Sequence, residues 1–306
     1  MAKVKRKIAS SDFLESQLPQ TRKDQFKDIL KINFWLFVKM GAILLLIFSL
    51  MLVKNYFTYF FNAAFNAAYK NGELTLEDKN ASMVYLLIGS GAINLILYPP
   101  IFIVISGLLR IIRQLCYGEG IIFSYDYKMG VKTNWKSFLV IGLLFALFEL
   151  LDIVLFAFFG FNFLTIIVVV LSLLVIFPTL ITSTYFLSVY QNKLGRGLIN
   201  SLFIHLRSAW KSVLVTILLV LPVLLLEFLW NSPLKLFVYL ILILIGLPIL
   251  LLFGFEIYLS IFDEHVNIYH FPEAIRKGLY ISEKEKEEIK KKIEKLKENS
   301  NEKKTN

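Results

Sequence analysis

With 306 residues, 57% of them hydrophobic and 18% charged, the chain departs from soluble globular proteins, which are about half apolar and about one quarter charged. Its net charge of +10 needs no nucleic acid as partner, because the basic residues collect at the ends of apolar blocks, where anionic lipid headgroups attract them. A single cysteine, Cys116, excludes an intramolecular disulfide and a cysteine-based metal cluster and reads as a packing residue.

Residues 1–33 are polar and basic and read as a cytoplasmic amphipathic segment with no cleavable signal peptide. Six apolar blocks follow, at 34–53, 83–109, 137–158, 163–190, 212–230 and 234–260. Each reaches the roughly 20 residues that a helix needs to cross a hydrocarbon core of about 30 Å. The runs are continuous and rich in Leu, Ile and Phe, unlike the alternating strands of a barrel, and a helix satisfies its own backbone in lipid.

The first block carries Lys39 one turn inside, where its ammonium can snorkel to the headgroups, and a long external loop (62–82) follows. The second holds GSGA (89–92), small residues suited to close helix approach, then Asn94, Pro99 and Pro100. The third contains Glu149 and Asp152, three apart on one helical face. The fourth has Pro178 followed by TLITST (179–184), whose hydroxyls, Thr182 among them, can re-satisfy freed carbonyls. The fifth contains Glu227 and the sixth Pro248. The expected fold is thus all-α and polytopic: a six-helix transmembrane domain over 34–260 and a charged cytoplasmic tail over 261–306.

Lys and Arg set the orientation. With the N-terminus inside, residues 1–33, 110–136, 191–211 and 261–306 receive 8, 5, 4 and 11 basic residues, and the other side receives Lys54, Lys70, Lys79 and Lys235. Both termini are therefore expected in the cytoplasm, and the protein in the plasma membrane.

One stretch is said twice. NWKSFLVIGLL (134–144) returns as AWKSVLVTILL (209–219), seventy-five positions on, and GEGIIFS (118–124) returns as GRGLINS (195–201). A weaker copy, FKDILKINFW (26–35), precedes the first span, so that Lys31, Lys132 and Arg207 correspond. Trp135 and Trp210, each followed by Lys, anchor the start of an outbound helix, and every inbound helix carries proline near its middle. The pattern predicts three parallel helical hairpins, each entered through an interfacial cytoplasmic segment.

The segment YKMGVKTNWKSFLVIGLL, following a proline-bearing helix that ends in LLRIIRQLCYGEG, resembles the YesL-like bacterial integral membrane proteins. The likeness is best over 26–145 and continues loosely to about 260; the longer external loop and the charged tail depart from it. The resemblance implies a membrane protein without established activity or catalytic residues, of a kind often encoded near sugar-uptake transporters.

Several residues are candidates for function. Ionisable and polar groups inside a membrane are costly and tend to mark a pathway, which singles out Glu149, Asp152, Glu227, Asn94 and Thr182. Asp152 and Glu227 lie 17 residues past their anchoring tryptophans, about 25 Å along the axis, and read as solvated outer ends, leaving Glu149 as the deep acid. At the cytoplasmic interface the candidates are Lys31, Arg110, Arg113, Lys132, Trp135, Arg207 and Trp210. His265 and His270 are five apart and fit no metal motif, and the amphipathic run 271–281 reads as lying on the bilayer surface. Beyond it a Glu/Lys-rich helix is expected to fade out.

No Walker loop, Rossmann fingerprint, nucleophile elbow or zincin helix is present. No catalytic, cofactor-binding or metal residue is assigned. The expected function is non-enzymatic: an accessory membrane protein that engages anionic headgroups or a membrane-protein partner such as a transporter, with a link to sugar uptake implied by the resemblance. The alternative is a small-solute transporter or channel whose kinked helices surround a central path. A polar cavity deep in the membrane favours the second, and a packed apolar interior the first.

Overall fold

The computed structural model describes residues 18–190, 192–228 and 233–305, with side chains for all of these except 221–236, 295 and 297–305. They form an all-helical membrane domain. We number the principal helices α1 (Arg22–Lys70), α2 (Leu76–Cys116), α3 (Phe123–Phe159), α4 (Phe163–Val189), α5 (Leu194–Arg207), α6 (Ala209–Phe228), α7 (Phe237–His270) and α8 (Glu283–Thr305). Among the described residues α1, α2, α3, α4 and α7 are long and apolar enough to cross a membrane, and there are six such elements if the bent pair α5 and α6 is counted as one span. Large apolar side chains such as Leu46, Ile96, Leu147 and Leu171 are exposed around the bundle, as lipid-facing residues must be.

Local chemistry sets the helix ends. The Thr21 hydroxyl caps α1 by accepting from Asp24 N, and Thr75 and Asp78 form a reciprocal capping box at the start of α2. Gly160, at φ +61°, ends α3, and Asn162 then caps α4. Between these signals α1 runs 49 residues, about 73 Å, because neither Gly nor Pro occurs from 42 through 71. The expected external loop at 62–82 is therefore mostly helix: only 71–75 separate α1 from α2, and Lys54 lies within a helix rather than at its end.

A ladder of small residues fastens α2 to α3. A side chain at Gly107 would strike Tyr127; at Gly130, Arg110 and the Ser106 carbonyl; at Gly142, the Pro99 backbone; and at Gly91, Leu150 and Ile153. These contacts draw residues 123–136 upright against α2 as the first turns of α3, in place of the interfacial segment expected there. The corresponding segment before α6 is a separate helix, α5, bent 107° from it. In α1 the break is smaller and sits at Asn33, whose φ and ψ are −115° and 22°.

The two later inbound helices share a defect. A π turn spans Ser172–Ile176 in α4 and ends two residues before Pro178; another spans Leu242–Gly246 in α7 and ends two residues before Pro248. The second receives Gly41 of α1, where a Cβ would overlap the Leu244 backbone. Around these crossings lies the core, with Phe37, Met40, Leu108, Phe138, Tyr185, Phe255, Tyr258 and Phe262 fully enclosed.

Both ends of the described chain meet on one face, termed basal here, where Tyr280 N donates to the Pro19 carbonyl at 3.0 Å. Residues 271–281, read from the sequence as an amphipathic run, are not a continuous helix. They turn back across the basal end of the bundle, with Leu279 buried and Gly278, at φ +85°, set against the Cys116 carbonyl too closely to admit a Cβ. Arg276, also in the left-handed region at φ 52°, is held by bonds to the Gln20 carbonyl at 2.8 Å and Glu285 at 2.7 Å.

Candidate functional site: a carboxylate on an aromatic-lined cavity

Glu149 is brought into a polar bridge across three helices. Asn94 Nδ2 of α2 donates to Glu149 Oε2 of α3 at 3.0 Å, Tyr98 OH of α2 donates to Glu149 Oε1 at 3.0 Å, and Lys54 Nζ of α1 donates to Asn94 Oδ1 at 3.0 Å. Asn94 and Tyr98 are four apart on one face of α2, so both reach the same carboxylate. Lys54 and Asn94 are buried, and the amide between the two charged groups uses its acceptor toward the ammonium and its donor toward the carboxylate.

The two charges face different spaces. Lys54 sits on the wall of a groove between α1 and α2, with Phe57, Thr58, Tyr85 and Ser90. Glu149 instead lines a cavity of about 250 Å³ inside the bundle, bordered by α1, α2, α3, α4, α6 and α7. Phe177 and Ile181, flanking Pro178, and Leu247 and Leu251, flanking Pro248, form part of its wall, so both π-turn helices border it. The rest is largely aromatic and aliphatic, with Tyr98 and Thr184 as further polar residues.

The other intramembrane candidates lie elsewhere. Asp152 is on α3 three residues from Glu149 but turns to α4, accepting from Ser172 Oγ at 2.9 Å. It is thus half-buried and hydrogen-bonded rather than a solvated end. Thr182 is buried and folds back on its own helix, donating to the Pro178 carbonyl at 2.7 Å while its oxygen lies 2.9 Å from Tyr258 OH. The Glu227 side chain lies outside the described residues. Of the four whose side chains are described, only Asn94 and Glu149 come together.

On the basal side Lys31, Lys132 and Arg207 are exposed, as are Trp135 and Trp210. Lys136 Nζ lies 5.6 Å from the Trp135 ring centre and Lys211 Nζ 6.0 Å from that of Trp210, the same local pairing at both positions. Arg110 and Arg113 are half-buried; Arg113 donates to the Ser188 carbonyl at 3.3 Å and so ties α2 to α4.

Two groups of residues escaped the sequence reading. Lys54 and Tyr98 belong to the bridge, and the unbroken helical pattern past residue 53 was the available signal for Lys54. The second group closes the basal end. Arg22 of α1 pairs with Asp263 at 3.1 Å and approaches Glu256 of α7 at 3.9 Å, and Cys116 Sγ donates to Glu256 at 3.3 Å. Gln25 donates to the carbonyls of Cys116 and Gly278, while Asn267 joins Asp263 to Tyr190. Glu256, 4% exposed, is thus a buried acid, as is Asp126, whereas Glu149 is half-buried. Glu256 sits within the apolar run LLFGFEIYLSIF. His265 approaches Glu264 at 3.9 Å, and among the described residues no three metal-ligating side chains converge.

No family model, curated protein or solved structure matches the chain.

Proposed function

We propose that this integral membrane protein binds a small solute in the cavity beside Glu149 and passes it across the bilayer, without enzymatic chemistry. The carrying observation is that Glu149, among the described residues the one carboxylate on the cavity wall, shares that wall with the two helices that have both a π turn and a proline. Interrupted helices at a midplane site are how many carriers build a binding site and a hinge in one place, and π turns recur at functional sites. The basal network of Arg22, Glu256 and Asp263 closes one end of the bundle and serves in this reading as a gate.

Flux into proteoliposomes tests it: a panel of small amphiphilic solutes should include some that enter with the purified chain and fail to enter with Glu149→Gln. Absence of flux for every solute, with the variant indistinguishable from wild type, removes the transport reading.

The accessory reading stands second, favoured by the largely apolar lining of the cavity, by the exposed Trp–Lys pairs and basic residues of the basal face and by the helix α8 beyond them, surfaces suited to anionic headgroups or a partner. Under either reading the basal face is assigned to the cytoplasm of the plasma membrane by its basic residues. Membership of the YesL-like group, and with it a link to sugar uptake, is proposed on residues 26–145. A triplicated hairpin is proposed on the recurring Trp–Lys pair and the recurring π turn ahead of proline. The straight α3 beside the bent α5–α6 then marks divergence between copies.

A further inference from the structure

Helix α5 has three faces. At about 100° per residue, Ile199, Phe203 and Leu206 share an arc of about 60°, and all three are more than half exposed. Opposite them Gly197, Ser201, Ile204 and His205 are buried, and a Cβ at Gly197 would press on Leu187 of α4. Along one edge between these faces lie Arg196 and Arg207, with Lys193 at the cap, all exposed. The sequence has neither Asp nor Glu between Asp152 and Glu227, so nothing on α5 itself offsets those charges.

The two ends of α5 fix its level. Gly197 meets Leu187, three residues before Tyr190, whose hydroxyl donates to Asn267 of α7 at 2.6 Å. Just past the other end, Lys211 meets Glu264 of α7 at 3.5 Å. Both ends of α5 therefore stand beside the basal ends of α4 and α7, and α6 leaves it at 107°. A helix so placed lies across the basal edge of the bundle, with its apolar arc toward acyl chains and its cations at headgroup depth. Trp210, 70% exposed at the break, suits the same layer. We propose that α5 is an in-plane helix that binds anionic phospholipid, its phosphate held by Arg196 and Arg207 and its acyl chains against Ile199, Phe203 and Leu206. This rests on the second reading above, to which it adds the element and the class of lipid, and it is independent of the cavity beside Glu149.

Fluorescence of Trp210 tests it, in the full chain with Trp35, Trp135 and Trp230 replaced by phenylalanine. The protein is placed in phosphatidylcholine nanodiscs that contain either brominated phosphatidylglycerol or brominated phosphatidylcholine. The anionic lipid should quench Trp210 at severalfold lower content than the zwitterionic one. Each basic residue near an anionic leaflet is worth roughly fivefold, so Arg196→Gln with Arg207→Gln should weaken the phosphatidylglycerol effect about tenfold or more. Quenching by phosphatidylcholine should stay within about twofold, because the apolar arc remains. Both arginines are exposed, so the variant should fold. Lys128→Gln with Lys132→Gln, exposed on α3, should leave the preference at Trp210 intact. Equal quenching by the two lipids, or quenching by neither, overturns the proposal. So does an equal loss from the lysine pair, which would mark diffuse attraction to the whole basal face. The converse chain, retaining only Trp135, separates the two claims: anionic preference there alone would remove α5 as the site and leave the accessory reading standing.

Discussion

Asn94 Nδ2 lies 3.0 Å from Glu149 Oε2 while Asn94 Oδ1 lies 3.0 Å from Lys54 Nζ, so one amide links a carboxylate and an ammonium across three helices. Replacing Asn94 by Leu removes a donor from the acid and an acceptor from the base. Interhelical hydrogen bonds in membranes average about 0.6 kcal/mol, but stranding charged partners costs more. A loss of about 2 kcal/mol is expected, read as a lower melting temperature in detergent. Asn94→Gln, which can restore both bonds, should lose less.

Gly41 meets the backbone of Leu244 in the π turn of α7. Main chain cannot rotate aside as a side-chain tip does, so Gly41→Ala should cost about 1–3 kcal/mol. Gly89 lies on α2 with nothing near its missing Cβ, and Gly89→Ala should be neutral or slightly stabilising. Unfolding of the two variants side by side checks whether that contact fastens α1 to α7.

Arg22 pairs with Asp263 and approaches Glu256 on the far side of the sequence. Arg22→Met leaves both carboxylates in a mostly enclosed site and should destabilise by about 3 kcal/mol, because removing one partner of a buried ion pair leaves the other uncompensated. Adding Glu256→Leu should return part of that loss. A double-mutant cycle reads the coupling, and strict additivity would contradict the network.

Glu285 accepts from Arg276 and from the amide and hydroxyl of Ser282, and these donors hold its carboxyl down to about 2, from an ordinary 4.5. A carboxylate lowered on folding stabilises fully above the unfolded value and loses that contribution as pH falls through the folded one. The melting temperature of the wild type should exceed that of Glu285→Gln at pH 6, and the gap should close between pH 4.5 and about 2. A constant gap over that window would show that Glu285 does not carry the attachment of α8 to the basal turn.

Much of this architecture was legible because lipid demands continuous apolar helices, and the blocks beginning at 34, 83, 137, 163, 212 and 234 each coincide over most of their described length with helix. Helix ends were less so: hydropathy stops at the membrane surface, whereas α1 and α3 continue beyond it for want of a breaking residue or because small-residue contacts hold them upright. In the site, Glu149 and Asn94 stood out as polar residues in apolar runs. Lys54 was read as a loop charge since nothing local reveals the partner forty residues on. The pairing of Arg22 with Asp263, 241 positions apart, depends wholly on how the bundle closes.

Photolabelling addresses the cavity most directly. A small amphiphilic diazirine probe, irradiated with the full chain in nanodiscs and mapped by mass spectrometry, should leave adducts on Tyr98, Phe145 and Phe177, suppressed by an excess of the same compound without its diazirine. Adducts confined to lipid-facing residues such as Leu46 and Leu147, unaffected by the competitor, would contradict a solute site beside Glu149.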